Sequence, residues 1–459
     1  MLTVLPCRRS LRATLVAAFT LCLSACGGSS TPGETAGDGG TPPTPPVSNG
    51  PPGPLPTLKR GCDWMLAFDP NIQGLGNTAF PDTSVRYWIA YVAAGVSAGS
   101  TLRIEGRYPV ARYSSLRVHD GNLFVLDGLA DFQIAPNAGQ ATPFLDITTL
   151  NPNIVFGGGY TARLKIGQDV PATREANTLY RKPPGVADGE ARRTTALVYR
   201  TYLPASGNTG QVGLPRLRLE TSTGEFPLSN ADDAVACAAI GSRFFQDGAL
   251  LPGITNALDP LPALPNPTFR KFDPILLQTT NTGVGLNTDN AFAYIKTDMN
   301  YGELLLVRGL PPSYTSQPGA GNPPQVRYWS LCQYGFNSQK VYGCVPDLLA
   351  PRDATGRYTL VVASDSKTVP AATALRGFST LPFGPERQGL LALRELLAHP
   401  TFGEAIASTD ADMAGAAQRG VYQPEASYCA RAIFDLNAPQ GAAATFAACV
   451  ESRRLLPAP

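Results

Sequence analysis

The sequence predicts a mainly β protein: two tandem, related β-sandwich (jelly-roll-like) domains followed by a helical C-terminal segment. Three observations carry this expectation. Short runs rich in β-branched and aromatic residues are punctuated by Gly, Pro and Asn, the pattern of strands separated by turns. A series of landmarks in the first half returns in the same order in the second. From Leu390 onward the spacing of leucines changes and fits one broad helical face.

The chain opens with an export signature. Arg8, Arg9 and Arg12 precede an apolar stretch from Leu15 to Leu23, too short to span a hydrocarbon core of about 30 Å. Leu23-Ser24-Ala25-Cys26 then matches the bacterial lipobox, which implies removal of residues 1–25 as a signal peptide and acylation of Cys26. Each buried acyl methylene contributes about 0.8 kcal/mol, so two or three chains anchor a protein stably. Gly27, rather than aspartate, follows the lipid site and favours the outer membrane. Residues 31–60 hold nine prolines and six glycines. Such a composition cannot offset its ordering entropy, so residues 26–60 are expected to form a disordered tether.

A first sandwich is expected over residues 61–260, with strands near Val85–Val92, Thr101–Glu105, Arg112–His119, Thr161–Ile166 and Ala196–Leu203. A second is expected over 261–385, with strands near Ala291–Lys296, Leu304–Val307, Val326–Tyr334 and Tyr358–Ala363. The two are related by repetition. Arg112-Tyr113-Ser114-Ser115-Leu116 returns as Arg327-Tyr328-Trp329-Ser330-Leu331, and Asp131…Ala135-Pro136 as Asp347…Ala350-Pro351. Tyr160-Thr161…Val170-Pro171 likewise returns as Tyr358-Thr359…Val369-Pro370. The second copy carries a Pro/Gly/Ser-rich insertion at 311–324 that reads as a surface loop. Residues 386–459 read as a helical cap. Leu390, Leu391, Leu393, Leu396 and Leu397 form the first helix, His399-Pro400 ends it, and Thr401 and Glu404 have capping-box spacing for a second.

Of the nine cysteines, Cys7 and Cys22 leave with the signal and Cys26 takes lipid. The remaining six, in an exported chain, suggest three disulfides among fifteen possible pairings. Proximity favours Cys332–Cys344 and Cys429–Cys449, leaving Cys62 with Cys237. No C-x-x-C pair supports zinc, and no other metal or cofactor is expected. The 37 basic and 35 acidic residues are scattered and give a net charge of +2, which argues against nucleic acid as a partner.

Trp329-Ser330-Leu331-Cys332-Gln333-Tyr334 resembles the W-S-[LI]-x-x-Y strand of a bacterial β-sandwich family called domain of unknown function twelve-fourteen. Ser115 to Asp120 resembles a diverged copy without the tryptophan, with His119 in place of the tyrosine. Gly106 to Pro109 and Gly309 to Pro312 resemble the family's G-x-L-P-P approach. The resemblance covers about fifty residues in each half. It implies a jelly-roll-like sandwich and no catalytic residue.

Catalytic motifs are sparse. Gly95-Val96-Ser97-Ala98-Gly99 satisfies the nucleophile-elbow pattern, but a strand rather than a helix is expected next, so it reads as a turn. His119 sits inside a strand and His399 ends the expected helix; two histidines exclude a three-histidine zinc site. Asp410-x-Asp412 has a calcium-loop spacing, but Ala414 and Val421 stand where further oxygen ligands belong. The most suggestive pattern is alternation. It places Tyr113, Ser115 and His119 on one face of the first copy, and Tyr328, Ser330 and Tyr334 on the matching face of the second, with Trp329 and Leu331 pointing into the core. Such a face could bind a saccharide or an amphipathic ligand. Arg112 and Arg327 are expected to make structural pairs with Asp131 and Asp347. The functional expectation is a membrane-anchored envelope lipoprotein, attached through its N-terminal lipid, with a ligand-binding or structural role. The alternative is a hydrolase acting on esters or glycosides of an envelope or extracellular polymer.

Overall fold

The computed structural model describes residues 57–454 except 73–75, 121–123, 154–155, 183–193, 208, 243–261, 273–286, 318, 320–322, 365–368 and 411–412. The expected signal segment, Cys26, the expected tether up to residue 56, and Asp412 therefore lie outside the described residues.

Alternating and fully apolar runs in the first half form β1 (Gly61–Phe68), β2 (Val85–Val92), β3 (Thr101–Arg107), β4 (Tyr113–Asp120), β5 (Val125–Ala130), β6 (Gly159–Asp169), β7 (Thr178–Lys182), β8 (Thr195–Tyr202), β9 (Arg216–Thr221) and β10 (Gly224–Pro227). A helix, α1 (Ala234–Ser242), follows. The strands assemble into two sheets, ordered β1-β2-β8-β4-β5 and β10-β9-β3-β6-β7. Trp88, Leu116, Val118 and Leu197 from the first sheet meet Leu102, Ile104, Leu164 and Leu219 from the second in one apolar core.

The second half repeats this plan with β11 (Arg270–Lys271), β12 (Asn290–Asp298), β13 (Leu304–Gly309), β14 (Val326–Gly335), β15 (Val341–Pro346), β16 (Tyr358–Ala363), β17 (Phe378–Pro382) and β18 (Gln388–Ala398). Then come α2 (Met413–Gln418), β19 (Glu425–Cys429), α3 (Arg431–Asn437) and α4 (Ala442–Arg454). Its sheets run β11-β12-β18-β14-β15 and β17-β16-β13-β19. Nine strands of each half correspond in order, with β10 of the first half unmatched among the described residues, and each half pairs one strand couple in parallel, β6–β7 and β16–β17. Trp329, Leu331, Leu391 and Leu393 face Leu305, Val307, Leu360 and Val362 in its core. The repeated glycine of each approach strand has a physical reason: a Cβ on Gly106 would lie 2.3 Å from the Tyr160 ring, and one on Gly309 would lie 2.7 Å from the Tyr358 hydroxyl. The described residues of both halves fall in one compact unit.

The structure corrects the expected leucine-rich helix. Residues 388–398 form β18, the central strand between β12 and β14. A strand covered on both faces is apolar at nearly every position, and over a short run that pattern satisfies a helical stripe equally well. Leu391 and Leu393 point into the sandwich core, whereas Leu390, Ala392 and Leu396 point to the opposite face. Thr401 and Glu404 start no helix; one 3-10 turn at Ile406–Ser408 follows instead. Residues 386–459 are thus not a separate cap. Their strands β18 and β19 complete the second sandwich, and among the described residues the α-helices there are α2, α3 and α4.

The described part of the insertion at 311–324 also departs from a free loop, since Tyr314 is 8% exposed and Thr315 1%. All three favoured cysteine pairs are bonded: Cys62–Cys237, Cys332–Cys344 and Cys429–Cys449. The last ties α4 to β19.

The outer faces of the two halves differ. In the second, α3 and α4 cover the sheet with Phe434, Ala442 and Phe446 against Leu304, Leu306 and Val361. In the first, the corresponding face carries charge. Arg163, Arg103 and Arg218 lie directly opposite one another across β6, β3 and β9. Arg103 is neutralised by Glu225 at 2.7 Å and by Glu105 and Glu220 at 3.4 Å.

Candidate functional site: a buried polar seam

The remaining face of each inner sheet packs against the other half. Val85, Tyr113 and Tyr202 of the first half form one cluster with Tyr328, Cys332, Tyr334, Leu390 and Leu396 of the second. The Tyr202 ring meets Tyr328 edge-on, with centroids 5.4 Å apart, and Phe80 meets Tyr334 at 5.2 Å. Four sheets therefore stack in sequence, and the middle contact is a seam between the halves.

Of the six residues singled out in the sequence, Tyr113, Tyr328, Ser330 and Tyr334 lie in that seam, and Ser115 and His119 are buried on the same strand as Tyr113. Tyr113, Ser115, His119, Tyr328, Ser330 and Tyr334 are all 0–1% exposed, so none borders solvent. Tyr113, Tyr328 and Ser330 find their partners in the other half, whereas Tyr334 bonds Arg394 of its own half. The Tyr113 hydroxyl donates to Asp289 Oδ2 at 2.6 Å, and an Arg117–Asp289 ion pair stands beside it. Tyr328 and Ser330 both donate to Asp82 Oδ2, at 3.0 and 2.6 Å. Arg394 reaches the same oxygen at 3.4 Å and donates to the hydroxyls of Tyr202 and Tyr334. Burial, followed by the neighbouring Asp289 or Asp82, pushes the Tyr113 and Tyr328 phenols well above their ordinary range. They are therefore proton donors at physiological pH, not nucleophiles or bases.

At one end the expected Arg–Asp pairs form with their partners exchanged between halves. Arg112 binds Asp347 at 3.0 Å, and Arg327 binds Asp131 at 3.0 Å. Each Arg also donates to the main-chain carbonyl of the other, both at 3.4 Å. Each guanidinium lies over an aromatic ring from the opposite half, Arg112 over Tyr314 at 5.1 Å and Arg327 over Phe144 at 3.5 Å. The carboxylates are held by equivalent amides, Asp131 by Ser114 N–H at 2.7 Å and Asp347 by Trp329 N–H at 3.3 Å. Burial raises Asp131 above the usual carboxylate range against the pull of Arg327, and the same burial lowers Arg327. Asp347 is pushed up to about 6 by burial, opposed by Arg112.

Asp82, Asp289, Arg117 and Arg394 escaped the sequence reading. Their signal was a charge inside or beside an otherwise apolar strand, which must be paired when both faces are buried. The other motifs stand apart from the seam. Gly95–Gly99 forms the turn between β2 and β3 and leads into a strand. His399 Nδ1 lies 2.8 Å from Thr401 Oγ1 near the surface. Asp410 bonds Gln418. Asp82 lies within 4.8 Å of Cys332 and Cys344 Sγ, but those sulfurs are joined to each other.

No family model and no curated protein matches the chain. Among solved structures it is similar to an uncharacterised protein from Burkholderia cenocepacia, with 14% identity, 79% of this chain and 81% of that one covered, and a TM-score of 0.47. It is also similar to a protein from Vibrio parahaemolyticus, with 12% identity, 76% and 90% covered, and a TM-score of 0.35.

Proposed function

We propose that this chain is an exported envelope lipoprotein, acylated at Cys26 and held at the outer membrane, whose folded part serves as a rigid scaffold. The observation that carries the structural role is the seam. The hydroxyls, carboxylates and guanidiniums that could have served a ligand or a reaction are largely engaged in joining one half to the other. The three disulfides support an oxidising compartment, because such bonds persist outside the cytosol. A saccharide or amphipathic ligand remains the second role of the same face, and would have to part the halves to reach it.

Two measurements test this reading. Metabolic labelling with a palmitate analogue should mark the wild-type protein and leave Cys26→Ala unlabelled and released from membranes. Thermal-shift screening against saccharides and fatty acids should show no stabilisation. A shift abolished by Tyr113→Phe or Tyr328→Phe would replace the scaffold role with ligand binding at the seam.

A further inference from the structure

The contacts across the seam are reciprocal, and this carries an inference about how the halves associate. Cross-strand registers define the equivalences. Tyr113 and Ser115 face Tyr202 and Arg200 on β8, as Tyr328 and Ser330 face Leu396 and Arg394 on β18. The same alignment sets Asp82 and Ser84 against Asn287 and Asp289, through Val85↔Tyr202 and Asn290↔Leu396. Contacts then occur in swapped pairs. Tyr328 of the second half bonds Asp82 of the first, and Tyr113 of the first bonds Asn287 and Asp289 of the second. Arg112 bonds Asp347 while Arg327 bonds Asp131, and each binds the other's carbonyl. When residue i of one body meets j of the other and j meets i, the contact is isologous, the signature of a two-fold dimer. None of the three disulfides crosses the seam: one lies within the first half and two within the second.

We infer that the seam is a dimer interface retained within one chain, and that the two halves recognise each other as separate bodies without needing their covalent connection. The partner that fits each inner sheet is the other half. A covalent connection between two such bodies raises their effective concentration.

The experiment uses the full chain with a protease site inserted between residues 243 and 261. The uncut insertion protein should melt at the parental temperature, which establishes that the insertion is benign. After cleavage under non-reducing conditions, the two fragments should co-elute as a one-to-one complex at micromolar concentration. Melting should then become concentration-dependent, as for any dissociable pair. Diluted from denaturant, the fragments should reassemble at a rate proportional to their concentration. Arg327→Leu should raise the fragment dissociation constant by roughly a hundredfold or more, because it strands Asp131. Tyr328→Phe, which removes one hydroxyl and keeps the ring, should raise it by about tenfold. Fragments that part on cleavage while the uncut protein stays folded would overturn the inference. So would a cut complex whose affinity is indifferent to both substitutions.

Discussion

At Arg327, a guanidinium with no solvent exposure bonds Asp131 and the Ile147 carbonyl and stacks over Phe144. Breaking a buried pair on one side typically costs about 3–5 kcal/mol, because the remaining charge has no partner. Arg327→Leu is therefore expected to lose that much stability in urea unfolding. Adding Asp131→Asn should recover part of the loss, since the stranded charge is gone; a strictly additive double variant would count against the pairing. Asp347 makes a second prediction, on pH. Its folded value of about 6 exceeds its ordinary 3.8, so the native state keeps a proton that the unfolded chain releases. That contribution, about 3 kcal/mol for a shift of this size, is full below the unfolded value and is lost as pH rises through about 6. Wild-type stability should fall relative to Asp347→Asn between pH 4 and 6. Parallel curves would refute the shift.

At the scale of elements, strands bounded by strong turn signals were the most legible. Val85–Val92 is β2 residue for residue, and Arg112–His119 lies within one position of β4. The leucine-rich β18 was not legible, since local periodicity cannot tell a doubly buried strand from a helix face. What identifies it is charge: Arg394 and Glu395 are neighbours, and each is buried on a different side with its own partner, Asp82 and Arg419. Adjacent residues on opposite faces require period two. Leu393, 2% exposed in the core between β12 and β14, should cost about 2–5 kcal/mol when cut to alanine. The candidate face was legible as a face, because alternation fixes which residues share one side. What it meets was not, because the docking of two sheets distant in sequence leaves no local trace.

For the whole molecule, repetition foretold two similar halves, and the structure adds that they join through their repeated surfaces. The exchange of Arg–Asp partners shows why the sequence could name the pairing residues but not their assignment: both assignments satisfy the same four side chains. Covalent staples act on this scale too. Cys62–Cys237 closes a separation of 175 residues, and Cys332–Cys344 one of 12. In the chain-entropy account their loss should cost about 5 and about 3 kcal/mol respectively. Denaturant midpoints of the two double-serine variants would reverse the ranking if native strain, rather than loop size, governed these bonds.

The unlike exteriors of the two halves have a practical outcome. The ionic lattice around Arg103 weakens in concentrated salt, whose screening length at 1 M is about 3 Å. The helical coat of the other half is apolar and pinned by Cys429–Cys449, so it is indifferent to salt and depends on that bond instead. One repeated plan thus carries two unlike skins, and removing Cys429–Cys449 by substitution loosens the helical one without touching the charged lattice of its twin.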